Sequence, residues 1–234
     1  MSLRLEAVSF DAIDPVVAGT FWGELLGREI VQDVGSVLLP GDSLQVGLRF
    51  VEATTDKPAR NRLHLHVTSE SVEHQRRTVE TVLRLGGGRP GAKPLNPGRI
   101  VYMNDPDGNE FCVIEPGNGY LAGCGYLGEV TCNGTRATGL FWRAALDWVV
   151  VWDEGEQVAI QSPAGGTKIA WDTWTETKAE GWNRQRFDLL ASDIAAEVER
   201  LVGLGATRIE SLGDVVRLAD PDGSEFLLRR SPVG

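Results

Sequence analysis

Histidine, cysteine and long apolar runs are all scarce in these 234 residues, and each scarcity narrows the function. The three histidines, His64, His66 and His74, sit in one short stretch, so candidates for a Ser, His and acid set are few. Cys112, Cys124 and Cys132 form no Cys-x-x-Cys pair and cannot complete a set of disulfides, which fits buried thiols in a reducing compartment. No apolar segment approaches the roughly 18 residues a membrane helix needs. Arg4 and Glu6 stand where a secretion signal would place an apolar stretch, so no export signal is readable and a cytoplasmic protein without a membrane partner is expected. No Gly-x-Gly-x-x-Gly follows a strand, and phosphate-loop and Gly-x-Ser-x-Gly patterns are missing. Gly86-Gly87-Gly88 follows a helical stretch and reads as a stop and turn. Positive charge is also in deficit: 23 basic residues face 33 acidic ones, a formal charge of −10. Such a surface repels phosphate backbones, which excludes nucleic acid as a partner and favours a neutral or cationic small ligand.

What the chain does have is a repeat. Asp105-Pro106-Asp107-Gly108-Asn109-Glu110-Phe111 returns 115 residues later as Asp220-Pro221-Asp222-Gly223-Ser224-Glu225-Phe226. Ala18-Gly19-Thr20-Phe21-Trp22 returns as Thr138-Gly139-Leu140-Phe141-Trp142, and Asn61-Arg62 as Asn183-Arg184, at offsets of 120 and 122. Three anchors in one order at nearly constant spacing indicate a duplicated chain. Asp14-Pro15 opens a helix whose apolar face reads Val17, Phe21, Trp22, Leu25 and Leu26, with Gly27 as its stop. A strand precedes it and three short strands follow near 29–33, 36–40 and 44–52. The pattern then recurs three times, with helices over 71–85, 135–146 and 192–204. The expected fold is α+β, four βαβββ units arranged as two tandem domains, 1–117 and 122–234.

Four such units, with Asn61-Arg62-Leu63-His64-Leu65, Phe-Trp on the first helix and Asp-Pro-Asp-Gly-Asn-Glu-Phe-Cys near the end of the first half, resemble the vicinal oxygen chelate superfamily, and within it the glyoxalase-like domain proteins. The resemblance covers essentially the whole chain. It implies that paired units curl around a cleft for ligand and metal, with metal ligands on the first and last strands of each unit. Carried over residue by residue, those positions are Ala7 and Leu48, His64 and Cys112, Leu127, then Arg186 and Leu227. His64 and Cys112 apart, none offers a ligand, so no metal cofactor is expected. The alternative is one divalent ion, zinc or iron, on His64, His66, Glu110 and Cys112. Against it, Glu225 repeats Glu110 where no ligands surround it, which points to local pairing beside the turn.

Six of the seven tryptophans lie in the second half, and Trp171-Asp172-Thr173-Trp174-Thr175-Glu176 alternates rings with acids or hydroxyls. Rings with carboxylates between them suit a flat or cationic ligand. Trp171, Trp174, Arg186, Asp188, His64 and His66 are therefore the candidate ligand contacts; the competing reading has Trp171, Trp174 and Trp182 sealing the contact between domains. The expected function is metal-independent binding or sequestration of a small molecule, in the style of bleomycin-resistance proteins, with a homodimer left open. The alternative is a metal-dependent lyase, isomerase or dioxygenase with one active cleft around His64.

Overall fold

A computed structural model of the chain describes residues 3–33, 35–53, 57, 59–90, 99–173 and 183–231. The first unit runs β1 (Leu3–Ala12), α1 (Pro15–Leu26), β2 (Val31–Asp33), β3 (Ser36–Leu39) and β4 (Gly47–Glu52). Asp14 caps α1 by accepting from the amides of Val16 and Val17, Pro15 occupies the first turn, and Gly27 ends the helix in the left-handed region at φ 65°. The buried face of α1 is Ala18, Phe21, Trp22 and Leu25, whereas Val17 is exposed, a correction to the face read from sequence.

The second unit is β5 (Leu63–Val67), α2 (Val72–Arg84), β6 (Val101–Asn104) and β7 (Glu110–Val113). A lone bridge between Gly88 and Asn104 stands where another strand was expected. The third comprises β8 (Leu127–Asn133), α3 (Arg136–Leu146), β9 (Val149–Glu154), β10 (Gln157–Gln161) and β11 (Lys168–Asp172); the fourth, β12 (Gln185–Ala191), α4 (Ile194–Leu204), β13 (Thr207–Leu212), β14 (Val215–Ala219) and β15 (Glu225–Arg230).

Strand pairing crosses between the halves of the repeat. One sheet has the order β13-β14-β15-β12-β1-β4-β3-β2 and joins the first unit to the fourth; the other, β6-β7-β5-β8-β11-β10-β9, joins the second to the third. Each sheet is thus completed by strands from both halves. Within each first strand, alternate residues face the helices and the opposite, open face.

The repeated motifs tie each half together through the core. Trp22 and Trp142 are each 1% exposed and pack edge-on against Phe111 and Phe226, with ring centroids 4.9 Å apart in both cases. The Trp22 indole donates to Asp105 Oδ2 at 3.0 Å, and the Trp142 indole to Asp220 Oδ2 at 3.1 Å. Asp105 and Asp220 also close their turns by accepting the amides of Asn109 and Ser224, with Gly108 and Gly223 both at φ 78°. The helical glycines of the repeat permit this packing: a Cβ on Gly19 or Gly139 would collide with Val37 or Val158.

Burial raises the Asp105 and Asp220 carboxyls, against the hydrogen bonds they accept; Asp220 reaches about 6 from an ordinary 3.8. Because the folded pKa lies above the unfolded one, the folded state binds more protons between those values, so this group's contribution to stability is greatest below about pH 4 and falls as pH rises through 6. A carboxyl-carbon NMR titration is expected to place the Asp220 midpoint near 6; a midpoint at or below its ordinary value would show that the indole and amide bonds outweigh burial.

Candidate functional site

The open face of the β5–β8 sheet gathers polar groups from several strands. His66 stands opposite Cys112 in the parallel β5–β7 pair and opposite Glu129 in the antiparallel β5–β8 pair. Glu129, 5% exposed, accepts from His66 Nδ1 at 2.8 Å, from the Tyr120 hydroxyl at 2.5 Å and from Thr131 Oγ1 at 3.0 Å. Burial alone would raise this carboxyl, but those bonds and the imidazole charge hold it below its usual range. Burial likewise opposes charging His66, and its hydrogen bonds to Cys112 and Glu129 prevail, raising it to about 10. The pair is therefore imidazolium and carboxylate at neutral pH. Lys168, opposite Glu129 in the β8–β11 pair, lies 4.1 Å over the Tyr120 ring and donates to the Tyr120 carbonyl.

Beside this network lies a cleft of about 350 Å³ bordered by His66, Tyr120, Glu129, Thr131, Trp152 and Asp172. Trp152 meets Tyr120 edge to face at 5.6 Å and is 41% exposed, so it forms a rim available for stacking. His64 sits on the same strand, held near pKa 4 first by burial, and is neutral.

The open face of the β1–β12 sheet is different. Arg49 contacts Glu6 at 2.8 Å and Asp188 at 3.2 Å, Arg229 reaches Asp188 at 3.8 Å, and Arg186 binds Asp11 at 2.5 Å. Guanidinium and carboxylate groups from both halves fill this face. Arg186 reaches across to a carboxylate of the first half, Asp11, because β12 lies against β1.

Residues 7–114 and 129–229 match the glyoxalase-like domain family. The chain belongs to that family. The glyoxalase-like protein, with its two tandem segments of the vicinal oxygen chelate superfamily, shares its fold with glyoxalase I from Zea mays, at a TM-score of 0.69 and 16% identity, covering 98% of this chain and 92% of that one. It also superposes on the cppA protein from Streptococcus pneumoniae, at a TM-score of 0.51 and 11% identity over 98% and 99% of the two chains. No curated protein sequence matches it.

The family fold calls for a metal test on the donor set. In the glyoxalase-like protein the β1–β12 face presents Arg49 and Arg186 at the inward positions, cations with no lone pair to give. In the other cleft Lys168 projects opposite Glu129, His66 and Glu129 are bonded to one another, and Glu110 is occupied by Lys57 at 2.7 Å and the Asn61 amide at 3.2 Å. Among the described residues no three of His, Cys, Asp or Glu are grouped to hold an ion. The residues present do not fit a metal.

The other expected contacts are scattered. Trp171, 2% exposed, packs in the core against Phe187 at 6.5 Å and also borders the cleft; Trp174 lies outside the described residues. Asp188 and Arg186 belong to the first sheet, His64 and His66 to the second. Glu129, Tyr120, Thr131, Lys168 and Trp152 were not singled out from sequence. The position counted back from the helix start, Leu127, is fully buried in the core; it lies eight residues before the helix cap Thr135, where His64 lies seven before Ser71, and Glu129 lies six before Thr135. The alternation Glu129-x-Thr131-x-Asn133 was the available signal. Leu48 is likewise in the core, and its neighbour Arg49 lies on the opposite, open face of the sheet among the ion pairs.

Proposed function

We propose that this glyoxalase-like protein binds a small organic molecule, without a metal, in the cleft bordered by Trp152, Tyr120, His66 and Glu129. The observation that carries the reading is the pairing of an exposed indole rim with a preorganised polar floor, in which the Glu129 carboxylate has its charge held by three donors. Such a site combines a stacking surface with fixed hydrogen-bonding groups, the usual make-up of a small-molecule pocket. The acidic surface supports a neutral or cationic ligand over a polyanion. Lyase or dioxygenase chemistry in the same cleft would need a metal, and the ammonium of Lys168 and the engaged Glu110 weigh against that donor set.

Native mass spectrometry of protein purified without a histidine tag, together with metal analysis, tests the reading. A co-purifying organic molecule with no stoichiometric transition metal supports it; about one transition metal per chain sinks it. Trp152→Ala is expected to weaken binding of that molecule by about 1 kcal/mol, several-fold in Kd, with little change in Tm, because the ring stacks from the rim and is not core.

A further inference from the structure

Along the β8-β11-β10-β9 end of the second sheet, one row of neighbours crosses the open face: Thr131 stands opposite Ala170, Ala170 opposite Ala159, and Ala159 opposite Trp152. All four border the cleft, so only two methyl groups fill the roughly 14 Å, three inter-strand spacings, between threonine and indole. Ala159 is wholly covered and Ala170 half-buried, which makes Ala170 the accessible floor. Asp172 lies two residues further along β11, on the same face and about 7 Å away. It is half-buried, and among the described residues its carboxylate makes no hydrogen bond or ion pair. The neighbouring charges are engaged elsewhere: His66 and Glu129 neutralise one another, Arg136 holds Asp153, and Lys168 lies over the Tyr120 ring, roughly 13 Å along β11 from Asp172. Glu154, opposite Gln157 at the rim, adds a second carboxylate. The cleft therefore holds negative charge in excess, beside an indole.

We propose that the cleft takes a flat organic cation, its ring laid over Ala170 beside Trp152 and its positive charge held between the indole and the Asp172 carboxylate. The inference rests on the reading that this cleft binds a small organic molecule, and supplies the class of that molecule. A planar body fits over a methyl floor, whereas a bulky one meets Trp152 on one side and Thr131 on the other. The charge answers two features. An indole is the ring that attracts a cation most strongly, and a carboxylate partly withdrawn from water adds an attraction that solvent screens less than at an open surface. A neutral molecule gains the stacking but strips water from Asp172 without replacing the lost hydrogen bonds. An anion adds repulsion to that cost. The site thus selects by charge as well as by shape.

N-methylquinolinium, quinoline and a quinolinecarboxylate present a cation, a neutral molecule and an anion on nearly one shape at neutral pH. Proton–nitrogen NMR titration of the full chain with each tests the proposal, the Trp152 indole signal being assigned by its loss in Trp152→Ala. The cation is expected to shift that indole and the amides of β10 and β11 saturably, about ten-fold tighter than quinoline, and the anion not to saturate. Asp172→Asn removes the charge but keeps the shape and the backbone carbonyl that accepts from the Gly134 amide; it is expected to weaken the cation about five-fold and leave quinoline unchanged. Equal affinities for cation and quinoline at Trp152, or a cation indifferent to a folded Asp172→Asn, would overturn the proposal while leaving a small-molecule cleft. Shifts that fall away from Trp152, or a cation that never saturates, would overturn it as well. The comparison of three probes uses the unaltered chain and decides even if Asp172→Asn does not fold. The binding reading is judged separately, by the molecule that co-purifies.

Discussion

Trp22→Ala and Trp142→Ala are each expected to lower stability by about 3–5 kcal/mol, seen as a drop in the denaturant midpoint with an unchanged m-value. Both rings are fully packed, and each deletion opens a cavity beside a phenylalanine, Phe111 or Phe226, that has no freedom to fill it. The loss also removes the indole donor from a buried carboxylate, Asp105 or Asp220. Phenylalanine at either position separates the two effects. It restores most of the apolar volume but leaves the carboxylate one donor short, at a cost of about 1–3 kcal/mol. A variant that kept its melting temperature but lost ligand would place the ring in a site instead.

Arg49→Ala is expected to cost a further class of energy, about 3–5 kcal/mol, because it strands a buried charge. Asp188 is 0% exposed, and Arg229, at 3.8 Å, is a more distant partner than Arg49 at 3.2 Å. Glu6 and the Ser36 hydroxyl lose a partner in the same step. The double variant Arg49→Met with Asp188→Leu removes both charges and is expected to recover most of the loss, since apolar replacements of a buried pair are often nearly neutral. Urea unfolding of the single and double variants decides the matter: a double variant as unstable as Arg49→Ala would show that packing, not an uncompensated carboxylate, sets the cost.

Local and periodic features were readable in the sequence. The cap at Asp14, the stop at Gly27, the two Asp-Pro-Asp-Gly turns and the Phe-Trp anchors depend on neighbours within a few residues or on helical spacing, and all stand where the repeat placed them. Which strand pairs with which did not follow from such signals. β1 and β5 are similar apolar strands with one free edge each, and the choice of β12 and β8 as partners is made by contacts between distant parts of the chain. The cleft residues suffered for that reason. Glu129 is a neighbour of His66 only through the crossed pairing, and the position counted back from the helix, Leu127, falls two residues short of it. His66 was read as a partner in the cleft, and its bond to Glu129 in the other half was not visible until the strands were joined.

The crossed pairing also sets an order of events during synthesis. Leu3 finds its partner in Ala191, so the outer edge of β1 stays open until most of the chain has been made, roughly 10–40 s at ordinary elongation rates. An open apolar edge over that interval invites the wrong strand. Glu6 and Asp11 place half-buried charges along β1, and a strand lacking matching ones would bury them unpaired. β12 arrives with Arg186 for Asp11, and with Asp188 for the Arg49 already holding Glu6. The ion pairs that leave this face without a place for a metal thus act as a key that admits the correct late strand to a waiting edge.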